Sequence, residues 1–260
     1  MELGLGKIIT LSAIEGITEF LPISSTAHLI LTSKLLHFSQ TPFLKLFEVF
    51  IQTGAIAAVL FLYIKLFFKK RRLALNLFFS FIPTAFFGLL LYKTIKQTLF
   101  ESYSLIAINL ALLGAVFLLI EKLVKDKKIL LKKGLEDMNL YTAFFVGLAQ
   151  ALAVFPGVSR AGAVIIALMI LGFKRKAAVE YSFLLAIPTI FAAGFFDLYK
   201  NLDLLVQSQG YLFDLLLGSF LSFIFALASV KWFLRFLKKH TLSPFGIYRI
   251  IAGILFLIYK

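Results

Sequence analysis

The chain contains no cysteine. That excludes disulfides, thiolate metal sites, cysteine nucleophiles and palmitoylation, and says nothing about compartment. Charge is also scarce. Only 15% of the 260 residues are Asp, Glu, Lys or Arg, against about 25% in an ordinary soluble domain. Hydrophobic residues make up 61%, and the mean hydropathy is +0.96. One soluble core cannot hide that much apolar surface, and a disordered chain would be polar. A soluble enzyme, a disordered protein and a nucleic-acid-binding module are therefore excluded. No lysine-bearing phosphate loop of the nucleotide-driven pumps is present either.

What is present reads as an all-α polytopic membrane protein. Apolar runs at about 46–68, 73–92, 102–121, 177–199, 211–236 and 244–259 are each long enough to cross a bilayer, the last one only just. The net charge of +14 sits in short clusters between these runs: Lys69 to Arg72, Lys122 to Lys133, Lys174 to Lys176, and Lys238-Lys239. By the positive-inside rule these mark cytoplasmic loops. The less basic loops near 93–101 and 200–210, with Glu101 and Asp203, are placed outside. The first apolar run carries Glu15 and Glu19 and no small-residue cleavage site follows, so a cleavable signal peptide is not expected.

Two segments, about 5–36 and 139–173, are apolar but broken midway by Pro, Gly and hydroxyl residues. The second has basic clusters on both flanks, so it must enter and leave on one side as a re-entrant hairpin. Tracing back from the cluster at 69–72, the first hairpin enters from the opposite side. Each half then holds one hairpin and about three spans, in opposite orientations. The expected organisation is one membrane domain over 1–260, with inverted repeats at about 1–130 and 131–260. Phe20-Leu-Pro-Ile-Ser-Ser25 resembles Phe155-Pro-Gly-Val-Ser159, and such repeats place their site where broken helices meet.

The breaks hold the chemistry. Glu15 and Glu19 are four apart and share one helix face. An acidic residue at a helix centre in a bilayer costs about 2.5–3.5 kcal/mol. Two would also repel, so a divalent cation, a shared proton or a basic partner must compensate. Ser24, Ser25 and Thr26 follow Pro22. They suit a helix cap, and the N–H groups of a helix starting there suit an anion. His28, one turn further on, reads as an acid, base or nucleophile. In the second break, Arg160 needs an anion, either a glutamate or a phosphate. Ser159 stands beside it, and Gly157 and Gly162 allow close backbone approach. Two carboxylates, hydroxyls, an imidazole and a guanidinium suit phosphoryl transfer. Glu48 reads as a supporting partner; Glu180, Asp197 and Arg249 read as structural.

The run EGITEFLPISSTAHL (15–29) resembles the first signature of the undecaprenyl-diphosphate phosphatases, the bacitracin-resistance membrane family. FPGVSRAG (155–162) resembles the second, and FEVFIQTGA (47–55), EYSFLLAIP (180–188) and FGIYR (245–249) resemble further family segments. The resemblance covers essentially the whole chain. It implies hydrolysis of undecaprenyl diphosphate to undecaprenyl phosphate and inorganic phosphate, which recycles the cell-wall lipid carrier and confers bacitracin resistance. It implies a divalent metal ion, Mg2+ or Ca2+, and a site at the outer face of the bacterial inner membrane. By resemblance the catalytic positions are Glu15, Glu19, Ser25, His28 and Arg160. Glu15 and Glu19 would hold metal or move protons, and Arg160 would grip the diphosphate with Ser24, Thr26, Gly157 and Ser159 nearby. The nucleophile is Ser25 or a water activated by His28. Ala27 stands where the family usually has Gly, and Ala161 and Val164 where it has Ser and Thr. The expected partners are the polyprenyl diphosphate, the bilayer and, as an option, a second copy; no nucleic acid is expected. The rival reading is a secondary transporter or flippase for a lipid phosphate or small anion.

Overall fold

The computed structural model describes residues 3–69, 71–92 and 102–258. The loop expected outside at 93–101, with Glu101, lies outside the described residues. The described residues are helical apart from short turns and one isolated bridge between Lys133 and Phe173.

The first hairpin is α1 (Leu5–Thr18) and α2 (Ser25–Leu35). Three long helices follow: α3 (Pro42–Lys69), α4 (Arg71–Leu90) and α5 (Tyr103–Lys125). The second hairpin is α6 (Leu140–Ala151), a 3-10 turn, and α7 (Arg160–Ile170). Then come α8 (Arg175–Lys200), the short α9 (Leu202–Gln207), α10 (Gln209–Phe236) and α11 (Ser243–Ile258).

The four hairpin helices have 11 to 14 residues. At 1.5 Å per residue none exceeds about 21 Å, short of a hydrocarbon core about 30 Å thick. Their breaks have a local cause. Pro22 and Pro156 donate no backbone hydrogen bond and disfavour helix in the residue before them. Beyond each Pro a serine takes a left-handed backbone, φ 72° at Ser24 and 70° at Ser159, and the next helix starts immediately. Leu5 and Leu140, which open the hairpins, are separated by the same interval as Ser24 and Ser159.

Among the described residues five helices, α3, α4, α5, α8 and α10, are long and apolar enough to cross a membrane. Six were expected. The sixth, α11, has only 16 described residues, because Pro244 and the turn at Thr241 fix its start. Large apolar side chains stand exposed on the outer helix faces, among them Phe61, Phe86, Leu112, Phe145 and Phe220, as lipid contact requires. Inside, α3 lies along α8 and α10, α5 along α11, α1 on α10 and α6 on α4. Association in lipid depends on close packing rather than water exclusion, so small residues stand at the crossings. A Cβ on Gly54 would lie 2.0 Å from the Ser219 carbonyl oxygen, and one on Gly147 2.3 Å from that of Ser80.

The basic clusters gather at one end. The Lys132 and Lys133 N–H groups donate to the Gly172 carbonyl. Glu121 accepts from Arg175 and from the Leu242 N–H. Arg71 and Arg72 share a depression with Leu135 and Met138. Both ends of the second hairpin therefore lie at this end. The first hairpin enters from the other. Lys7 sits 5.0 Å from the Phe38 ring, joining the hairpin's two ends, and the Leu3 N–H donates to Asp214 near the start of α10.

Candidate active site

The two breaks meet inside the bundle. Glu19 closes the last turn of α1, so its carboxylate reaches past the helix into the break. One oxygen, Oε1, accepts from Arg160 Nη2 at 3.2 Å. The other, Oε2, accepts a short hydrogen bond from the Ser25 hydroxyl. Arg160, the first residue of α7, also donates Nη1 to the Ser182 carbonyl at 2.8 Å. Its Nε is buried and has no partner, so one guanidinium edge remains free to donate. Ser25, Glu19 and Arg160 are all nearly inaccessible.

These groups line a cavity of about 150 Å3, with Ser24, Thr26, Gly157 and Ser159. That is room for about five waters at ~30 Å3 each. Ser159 caps α7 by accepting from the Gly162 N–H. Gly157 needs to be glycine: its φ is +89°, and a Cβ there would lie 2.4 Å from the Ile106 carbonyl oxygen. Thr26 and Gln52 also line a larger adjoining groove of about 630 Å3, with Leu29, Ile30, Phe38 and Val49 on its walls. Glu48 lies there, accepting from Ser33 at 2.8 Å, and does not line the Glu19 cavity.

Glu15 lies one turn deeper on α1 and is completely buried. Among the described residues no N–H or hydroxyl donates to either carboxylate oxygen; the Glu19 carboxyl lies within hydrogen-bonding reach, and Arg160 and Glu48 are the other charges nearby. An orphaned carboxylate beside a second one fits a hard divalent cation. Among the described residues no cluster of three His, Asp or Glu side chains exists, so the protein would offer such an ion two carboxylates, Glu15 and Glu19. Mg2+ is commonly held in that way, with phosphate and water oxygens filling the remaining positions.

His28 is not drawn into this set. Its Nδ1 lies 2.7 Å from the Ser24 carbonyl and its Nε2 2.6 Å from the Tyr248 hydroxyl, with the two rings stacked. A carbonyl only accepts, so Nδ1 carries the proton, and Nε2 of the neutral ring accepts from the tyrosine. His28 makes no hydrogen bond to Ser25 and does not line the cavity. Tyr248 was not singled out from the sequence. An aromatic residue in an apolar helix carries no signal of its own, and its partner lies far off in the chain. Of the residues read as structural, Glu180 pairs with Lys176 and Asp197 accepts from Tyr92. Arg249 does more, as described below.

Fold and site together define a polytopic membrane protein with an acid–hydroxyl–guanidinium site buried where two broken helices meet. The family model described as bacitracin resistance protein BacA matches residues 8–255, and the chain belongs to that family. Relatives named undecaprenyl-diphosphatase match it over nearly its whole length. The protein of Wolinella succinogenes is 48% identical, covering 96% of each chain. That of Campylobacter fetus is 46% identical, covering 96% of this chain and 97% of its own. That of Methanococcus aeolicus is 40% identical, covering 97% of each.

Proposed function

We propose that this protein is a membrane phosphatase that hydrolyses undecaprenyl diphosphate to undecaprenyl phosphate and inorganic phosphate. It thereby returns the lipid carrier to cell-wall synthesis and confers resistance to bacitracin. One observation carries the chemistry: Glu19 holds the Ser25 hydroxyl with one oxygen and Arg160 with the other. A carboxylate on a hydroxyl is the arrangement of an activated nucleophile, and a guanidinium alongside is an anion grip.

The substrate's apolar chain runs through the groove past Leu29 and Ile30, and its diphosphate enters the smaller cavity. The free Nε edge of Arg160 and the N–H groups opening α2 and α7 bind phosphate oxygens. Ser25 Oγ attacks the terminal phosphorus while its proton passes to Glu19 Oε2. The bond from that phosphorus to the bridging oxygen breaks, and undecaprenyl phosphate leaves with the electron pair. Glu19 passes that proton to the departing lipid phosphate; water then attacks the phosphoserine phosphorus and gives a proton to Glu19, which returns it to Ser25 Oγ as the Oγ–phosphorus bond breaks and inorganic phosphate leaves. In the alternative route a water activated by His28 replaces Ser25, which requires Tyr248 to release Nε2. Glu15 and Glu19 would hold a divalent ion, and such an ion would neutralise phosphate charge.

The basic end reads as cytoplasmic, so the first hairpin opens to the outer face of the inner membrane. The organisation as inverted repeats, about 1–130 and 131–260, is supported by the equal spacing of hairpin starts and left-handed serines. The reciprocal packing of α1 on α10 and α6 on α4 supports it too. The experiment is phosphate release from undecaprenyl diphosphate by purified protein in detergent, with and without chelator. Release that needs the metal and Ser25 upholds the reading. No release under any divalent ion, with gradient-driven uptake of a lipid phosphate into vesicles, moves the protein to the transporter class.

A further inference from the structure

Arg249 is completely buried, and among the described residues none of its hydrogen-bond partners is a carboxylate. All five are backbone carbonyl oxygens. Nε donates to Leu110 at 3.3 Å and Nη1 to Pro22 at 3.1 Å. Nη2 is shared among Gly157 at 2.6 Å, Val158 at 3.2 Å and Asn109 at 3.3 Å. Pro22 belongs to the first break, and Gly157 and Val158 to the second. A cation at this depth without a counter-charge is expensive. A purely structural helix contact would not need one, and an apolar residue would fill the space more cheaply.

The geometry points to Arg249 as the positioning residue that fixes the two breaks relative to each other. Its planar fork carries five donors in fixed directions and so collects carbonyls from two separate loops at once. It stands on a firm base, because α11 and α5 touch backbone to backbone: a Cβ on Gly114 would lie 2.7 Å from the Gly246 carbonyl oxygen. Asn109 on α5 extends the brace, donating to the Pro156 carbonyl at 2.8 Å. The peptide bonds of the described residues are trans, so a carbonyl aimed at Arg249 turns the following N–H the opposite way. Arg249 thus withdraws three carbonyls of the cavity-forming breaks from contact with an anion. It also fixes how Arg160, on one break, meets Glu19 and Ser25 on the other. This role rests on the phosphatase reading for its rate effect, but not for its geometry.

The test has two arms. In the first, phosphate release is measured for Arg249→Lys and for the milder Asn109→Ala, each alone and in an Arg160→Lys background. A misplacement of about 1 Å costs on the order of a hundredfold in rate. Arg249→Lys is expected to lower kcat by that order while KM moves less than about threefold. In the Arg160→Lys background its effect is expected to shrink, since both act on the same alignment. A merely destabilising change would give the same factor in both backgrounds, and that result overturns the proposal. The second arm needs no activity. The cysteine-free chain accepts Ile17→Cys and Leu152→Cys, exposed positions beside the two breaks. Spin labels there should give one narrow distance, which broadens or shifts in Arg249→Met and in Asn109→Ala. An unchanged distance distribution in folded variants overturns the clamp whatever the turnover. Loss of wild-type turnover with a distance that does respond overturns the phosphatase reading alone.

Discussion

Ser25 gives its hydroxyl hydrogen to Glu19, while His28, three residues further on, is held by Ser24 and Tyr248. The side chain that shares a helix with the hydroxyl is therefore not the one that contacts it. The hydroxyl's base comes from across the break. If Ser25 and Glu19 act as a unit, Ser25→Ala and Glu19→Gln should each lower kcat for phosphate release by about a thousandfold, and the double variant should be no worse. His28→Ala should multiply with either of them. Single-turnover phosphate release on the full set decides it. A His28→Ala effect that vanishes in Ser25→Ala, with Glu19→Gln multiplying instead, would transfer the base role to the histidine.

Arg160 meets Glu19 and the Ser182 carbonyl with two of its nitrogens and leaves Nε unsatisfied. Lysine carries the same charge, but its three donors radiate from one nitrogen and cannot reproduce the planar spread of the guanidinium across Glu19, the Ser182 carbonyl and a phosphate. Arg160→Lys should raise KM for the diphosphate lipid at least about tenfold, equivalent to ~1.4 kcal/mol. An unchanged KM from initial rates in detergent would mean that the guanidinium serves Glu19 alone.

The breaks themselves were legible in the sequence, because Pro22 and Pro156 interrupt otherwise helical apolar runs and nothing in lipid rescues such a break except burial. The grouping of basic clusters at one end was legible for a similar reason. Which glutamate meets Arg160 was not. Glu15 and Glu19 share a helix face, and only the end of α1 at Thr18 decides that Glu19 reaches the break while Glu15 stays inside the turn before it. The partners of Arg249 were hidden more deeply. Its ligands are carbonyls, which every residue possesses, so no pattern of side chains announces them. The shortness of α11 was legible too, since its apolar run begins only at Pro244, beyond the polar stretch Lys238 to Thr241.

Glu15 yields a prediction in which stability and activity part ways. Its carboxylate is buried with no donor, next to a second carboxylate. Glu15→Gln removes the charge and keeps the shape, so without divalent ions it should melt higher than the parent chain, at about 2–4 °C for each kcal/mol relieved. The same variant should lose stabilisation by added Mg2+ and most of its phosphate release. Thermal unfolding in detergent with and without chelator reads both effects. A lower melting point in chelator would show that Glu15 already has a proton or a cation as partner in the metal-free protein.

The bundle that holds the breaks can be tested at its tightest crossing. At Gly54 a Cβ would fall 2.0 Å from the Ser219 carbonyl oxygen and 2.6 Å from two further backbone atoms of α10. Backbone cannot swing aside as a side chain does, so Gly54→Ala must push α3 away from α10. Overpacking of this kind costs about 1–3 kcal/mol or more. Gly88, on α4, has nothing within 4 Å of its would-be Cβ. Gly88→Ala should therefore be neutral or gain up to about 1 kcal/mol from helix propensity alone. The pair separates packing from propensity, since both substitutions add the same methyl group to an apolar helix, Gly54 inside α3 and Gly88 in the last turn of α4. Equal melting of Gly54→Ala and the parent chain would mean that α3 and α10 have room to part. The cavity behind Gln52, two residues away, would then be looser than its walls imply.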